Sequence, residues 1–269
     1  MAYKNATSVR DQVHRVYTAT CRFIGCLTGL KSRSEVGRLF ACSGCKLALY
    51  CSPECQKAGW SFHKHVCKSI KDERSQLKEM DKLFLSASDK PQASAAVSSG
   101  AALPSVIMDE FCAFAEKFKL PLMEAGYNGL NIASDPSFSG RAVLFVLLEH
   151  VPDRAQSSRV WARFKVVHAR PMTYDELRAE YGRENVQGLI DQFIWIRDLQ
   201  SRVDDYVASE TILLSCYCNV TSPPMPLHYP VPIGVTPAYM RAVSVSNTWE
   251  QKLKDIVEKI SGRNTRDGR

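Results

Sequence analysis

Seven of the ten cysteines in this 269-residue chain, Cys21, Cys26, Cys42, Cys45, Cys51, Cys55 and Cys67, fall within 47 residues. Together with His63 they offer soft sulfur and imidazole donors at short intervals. From Cys42 the pattern is Cys42-x2-Cys45-x5-Cys51-x3-Cys55-x7-His63-x3-Cys67. Cys-x2-Cys puts two thiolates on one tight turn, which Ser43-Gly44 supplies. After Cys51, Ser52 suits a helix N-cap and Pro53 the first helical position, so Cys55 falls in the first turn, near enough to Cys51 to share a metal. His63 and Cys67 are four apart and lie on one helix face. A structural zinc takes four Cys/His ligands in a tetrahedron. Two sites need two ligands more than these six, and Cys21 and Cys26 remain nearby, with His14 as the substitute donor. Eight ligands close two tetrahedra, with no position left open for water or substrate. Zinc catalysis is therefore not expected.

The compartment decides between metal and disulfides. Met1 to Arg10 is polar and lacks an apolar signal core, so a reducing cytoplasmic and/or nuclear location is expected, where clustered cysteines bind metal. No run of about 18 apolar residues predicts a helix crossing a membrane.

Residues 42–67, CSGCKLALYCSPECQKAGWSFHKHVC, resemble a MYND-type zinc finger. Tyr50-Cys51, Cys55-Gln56, Trp60 and His63-Lys64 follow the order of that family. The first pair departs from it: Cys21-x4-Cys26 stands where the family has x2, and 15 residues separate Cys26 from Cys42. The resemblance implies an interleaved pairing, with Cys21, Cys26, Cys51 and Cys55 on one Zn2+ ion and Cys42, Cys45, His63 and Cys67 on a second. It also implies a protein-interaction module that docks Pro-rich peptides of PxLxP type from regulatory partners. Gln56 would hydrogen-bond an extended backbone and Trp60 would stack on proline, while Tyr50 is expected to pack around the zinc.

Two enzymes compete with that reading. Some SET-type lysine methyltransferases carry an embedded MYND finger, but only 20 residues precede Cys21, and neither an Asn-His-Ser-Cys stretch nor a Gly-x-Gly loop occurs. A RING-like ubiquitin ligase also interleaves two zincs, but a lone histidine in seventh place fits MYND better. A binding module, not an enzyme, is expected.

The net charge of +7 is uneven. Residues 1–90 hold 16 Lys/Arg and 8 Asp/Glu, against 19 and 20 in residues 91–269. Seven ligating thiolates and two zinc ions together subtract three charges from the basic half. Lys31, Arg33, Arg38, Lys57, Lys64, Lys68 and Lys71 then read as a solvated face, and nucleic-acid binding is the minority reading.

These motifs need elements to position them. An N-terminal helix within 1–20, the finger at 21–67 and a helix at 68–85 with Ile70, Leu77, Met80 and Phe84 on one stripe are expected. The small-residue segment 86–103 reads as a flexible linker, 104–262 as an α+β domain and 263–269 as a tail. Within the domain, a helix near 105–127 should break at Pro121. Strands are expected at 142–151 and at 159–169, the latter with Val160, Ala162, Phe164 and Val166 on one side, joined as a hairpin. Thr173 to Glu176 forms a capping box opening a helix or helix pair to about 203, weak at Gly182 and Gly188. A strand at 210–220, a Pro-rich loop at 223–232 and a helix at 248–260 complete the α+β fold class. Cys112, Cys216 and Cys218 are expected to be ordinary buried cysteines. His150 and His168 are placed to meet across the hairpin, in a structural role. Pro224-Met225-Pro226-Leu227 resembles a Pro-rich ligand but is expected to be surface loop.

Overall fold

The fold was obtained as a computed structural model, which describes residues 38–45, 48–86, 102–151, 159–202, 205–220 and 224–262. His14, Cys21, Cys26, the N-terminal helix, the 152–158 loop, most of the linker and the tail lie outside the described residues. The chain divides into two units, one ending at Leu83 and the other beginning at Phe84.

In the first unit a short antiparallel pair, β1 (Phe40–Ala41) and β2 (Leu49–Tyr50), leads into a 34-residue helix, α1 (Pro53–Ser86). The start of α1 follows from its residues: the Cys55 amide donates to Ser52 Oγ at 3.2 Å, with Pro53 at the first position. The helix expected at 68–85 is not a separate element. No Pro follows Pro53 and the single glycine, Gly59, does not break the helix, so the finger helix continues for about 51 Å. Its expected stripe holds, with Leu77 buried and Ile70, Met80 and Phe84 half-buried.

The second unit is a four-stranded sheet of order β4-β3-β5-β6, formed by β3 (Ala142–His150), β4 (Phe164–Thr173), β5 (Ala208–Cys218) and β6 (Met225–Val235). The central pair, β3 and β5, is parallel; the outer pairings are antiparallel. Both central strands are buried almost throughout because both faces are covered. Val143, Phe145 and Leu213 pack on Leu177 of α4 (Tyr174–Tyr181) and on Val186, Ile190 and Phe193 of α5 (Arg183–Gln200). The opposite face meets α2 (Pro104–Lys117), α3 (Lys119–Gly129) and α7 (Trp249–Gly262), where Phe111 stacks on Phe164 at 5.3 Å. A one-turn helix, α6 (Pro237–Ala242), follows β6.

Several expectations hold. The 105–127 helix is interrupted at Phe118, with Pro121 in the first turn of α3. The Thr173 capping box is present, and Gly182 separates α4 from α5 at φ +82°, where an L side chain would be strained. Gly188 does not interrupt α5.

Three expectations are corrected. Residues 160–163 form a 3-10 turn, and the strand begins at Phe164, because the Trp161 ring turns aside to pack edge-on against Phe118. The Pro-rich segment 223–232 is largely strand: β6 pairs with β5 along its whole length, Leu227 opposite Cys216 and Pro232 opposite Thr211. Pro226, Pro230 and Pro232 share one parity, so on this edge strand their nitrogens turn away from β5 and cost no ladder bond. Pro224–Leu227 is therefore not a free peptide ligand. His150 and His168 do not meet: His150 lies opposite Phe164 and His168 opposite Leu147, with a bulge between. His150 instead places Nε2 3.0 Å from the buried Glu110 carboxylate, while His168 packs on Phe145.

Candidate metal centre

The Cys42–Cys45 turn is closed by the Cys42 amide donating to the Ala48 carbonyl at 2.8 Å. Arg74, about six turns along α1, donates to the Cys45 carbonyl at 2.7 Å and ties the turn to the helix. His63 and Cys67 rise from one face of α1 toward the same point. The ligand atoms of Cys42, Cys45, His63 and Cys67 all lie within 4.8 Å of one another. Among the described residues this is the one group of three or more Cys, His, Asp or Glu so gathered.

The spacing fits zinc. Tetrahedral coordination at about 2.3 Å to sulfur and about 2.0–2.1 Å to nitrogen implies edges near ~3.8 Å for S···S and ~3.6 Å for S···N. Cys42 Sγ and Cys67 Sγ are 3.8 Å apart, and Cys45 Sγ and His63 Nε2 are 3.4 Å apart. The donor set is Cys3His, three of its members buried and His63 half-buried. Burial, then the Cys42 and Cys45 thiols crowded against it, push the Cys67 thiol up to about 11. Burial also raises Cys42, but the backbone amides of Cys45 and Gly44 and the His63 ring outweigh it and carry Cys42 below its ordinary value. Three thiolates in this space call for a cation, and zinc binding would release their protons.

Gly44 serves the centre by its lack of a side chain. A Cβ there would lie 2.8 Å from Cys67 Sγ. The spacing rule predicts a tight turn here; the approach of a ligand sulfur to its tip needed coordinates to see.

Cys51 and Cys55 are brought together as expected, their sulfurs 3.3 Å apart. Tyr50 is buried at 2% exposure, its ring edge-on to His63 at 5.9 Å, so it packs around the centre. Trp60 is also edge-on to the His63 ring, at 5.9 Å, yet stays 45% exposed. Trp60 and Gln56 border an open groove of about 440 Å³ whose floor includes Cys42 and Cys67.

Cys216 and Cys218 are buried in β5, and burial pushes Cys216 up to about 12. Cys112 is half-buried, its Sγ 3.4 Å from the Met108 carbonyl.

Residues 24–67 match the MYND finger family, so the chain carries a zinc-binding finger of a protein-interaction class. The match takes in Cys26 and begins after Cys21. Similar stretches occur in a Tudor domain-containing protein 1 of Oryzias latipes (49% identical over 35 residues, 13% of this chain and 3% of the relative). They occur also in a SET domain-containing protein 14 of Caenorhabditis elegans (47% over 38 residues, 14% and 9%) and in the human histone-lysine N-methyltransferase SMYD3 (50% over 34 residues, 13% and 8%). The chain thus spans less than a tenth of the length of these relatives. No solved structure matches the chain. No described helix is long and apolar enough to cross a membrane.

Proposed function

We propose that the finger is a two-zinc docking module for Pro-rich peptides of PxLxP type, with the groove between the Cys42–Cys45 turn and α1 as the docking surface. The observation that carries this reading is Trp60. It is a large aromatic side chain left 45% exposed on the rim of a groove. Tyr50, equally close to His63, is buried. Aromatic surface held open beside a groove suits stacking on proline, and half-buried Gln56 offers an amide to an extended backbone. The Cys3His set saturates one tetrahedron, which supports a structural and not a catalytic metal. Cys51 and Cys55 supply half of a second site, completed in this proposal by Cys21 and Cys26.

The test is titration of the zinc-loaded chain with a labelled PxLxP peptide. Saturable binding that Trp60→Ala weakens at least tenfold is expected. Binding that survives Trp60→Ala would exclude the groove. The methyltransferase reading suggested by two of the relatives is addressed by incubating the chain with labelled methyl donor and histones, where no transfer is expected.

A further inference from the structure

The rim of the groove is not electrically neutral. Beyond Trp60 its α1 side carries Lys64, Lys68 and Lys71, with Asp72 as the single acid. All three lysines are exposed, and none is held in an ion pair among the described residues. We propose that the groove selects an extended peptide with acidic side chains at alternate positions. Its apolar or proline end sits on Trp60, and its acids sit on Lys64 and Lys68, with Lys71 beyond. This rests on the docking reading above and adds the chemistry of the partner.

The spacing carries the proposal. Trp60, Lys64 and Lys68 are successive fourth residues of α1, so they recur about every 6 Å along it. In an extended peptide, side chains on one face recur about every 6.6 Å. The mismatch over two steps is about 1.2 Å, within the reach of a flexible lysine stem. A peptide lying along α1 with an apolar residue on Trp60 therefore presents its second and fourth neighbours to Lys64 and Lys68. Residues at the first and third places point the other way.

Charge also separates a peptide from a nucleic acid. A phosphate backbone is charged along its whole length and would meet Asp72 as well as the lysines. A peptide that is acidic only over the lysines avoids that repulsion.

The experiment uses the zinc-loaded full chain and four fluorescent peptides. These are Pro-Ser-Leu-Ser-Pro extended by Ser-Glu-Ser-Glu, by Glu-Ser-Glu-Ser and by Ser-Ser-Ser-Ser, together with Glu-Ser-Glu-Ser placed before the same five residues to cover the opposite chain direction. Affinities are read at 50 and 300 mM salt. One of the two peptides with acids at the second and fourth places from the terminal proline should bind about tenfold tighter than the neutral one at low salt, the sum of a few exposed pairs. Most of that gain should vanish at 300 mM. Lys64→Glu/Lys68→Glu should abolish the gain while keeping the zinc content and the affinity for the neutral peptide. Equal affinity for acidic and neutral peptides overturns the inference but leaves the groove standing. Equal gain from acids at the first and third places overturns the register. Displacement of the acidic peptide by oligo(dT) at comparable concentration overturns the choice of a protein partner. Failure of all four peptides to bind removes the groove reading itself.

Discussion

Replacing Gly44 by alanine probes the metal centre at its tightest point. The added Cβ would stand 2.8 Å from Cys67 Sγ, where ordinary contact begins at 3.4 Å, so the sulfur must retreat by about 0.6 Å. Zinc–ligand distances tolerate only about ±0.2 Å. The retreat cannot be absorbed by a flexible chain end, because Cys67 is a short side chain on a continuous helix and is buried at 3% exposure. Overfilling a packed site of this kind costs about 1–3 kcal/mol, which corresponds to roughly 5- to 150-fold weaker zinc binding. Competition against a chromophoric zinc chelator measures it. Gly188→Ala is the matched control: it lies within α5, with nothing within 4 Å of its added Cβ. It should leave zinc affinity unchanged and stabilise the second unit by up to ~1 kcal/mol. A Gly44→Ala chain that holds zinc within twofold of wild type would refute the account of this turn.

Two further expectations concern the second unit. Glu210 in β5 is fully buried, and burial holds its carboxyl pKa well above 4.5, with the Tyr239 hydroxyl opposing to a lesser degree. Below pH 4.5 the folded and unfolded chains both keep the proton; above it the unfolded carboxyl ionises first, so wild type loses stability as pH rises toward the folded value. Glu210→Gln removes that loss, and in urea titrations its stability advantage should widen from pH 5 to pH 8; a constant difference would show that Glu210 does not titrate this way. Glu110, 4% exposed, holds both His150 Nε2 at 3.0 Å and the Arg163 guanidinium. Glu110→Ala strands both partners and should cost about 3–5 kcal/mol of unfolding free energy, whereas a loss below ~1 kcal/mol would reduce the cluster to a surface pair.

The finger was legible because its chemistry is written in intervals. A Cys-x2-Cys turn, a Ser-Pro helix start and an i, i+4 His/Cys pair each fix local geometry, while the grouping of Cys42, Cys45, His63 and Cys67 was implied by the family resemblance and is seen in the fold. The resemblance to MYND fingers rests on the same residues. What escaped was long-range. Proline density at 224–232 suggested a loop because proline breaks central strands; only the register with β5 reveals an edge strand with every internal proline on the outward parity. Likewise, the offset of three residues between His150 and the partner of His168 depends on a bulge opposite Leu147 and Leu148. The capping box at Thr173 and the break at Gly182 were readable because they are decided within four residues of chain. The partners of Glu110 and the burial of Glu210 were not, since both depend on elements far apart in sequence.

The most direct test of the two-centre finger is the metal content of the intact chain by native mass spectrometry. Two zinc ions per wild-type chain are expected, falling to one in Cys42→Ser and to one in Cys51→Ser, each with the other centre retained. A wild-type chain that carries no zinc, or a single ion that Cys51→Ser leaves in place, would contradict the two-centre arrangement.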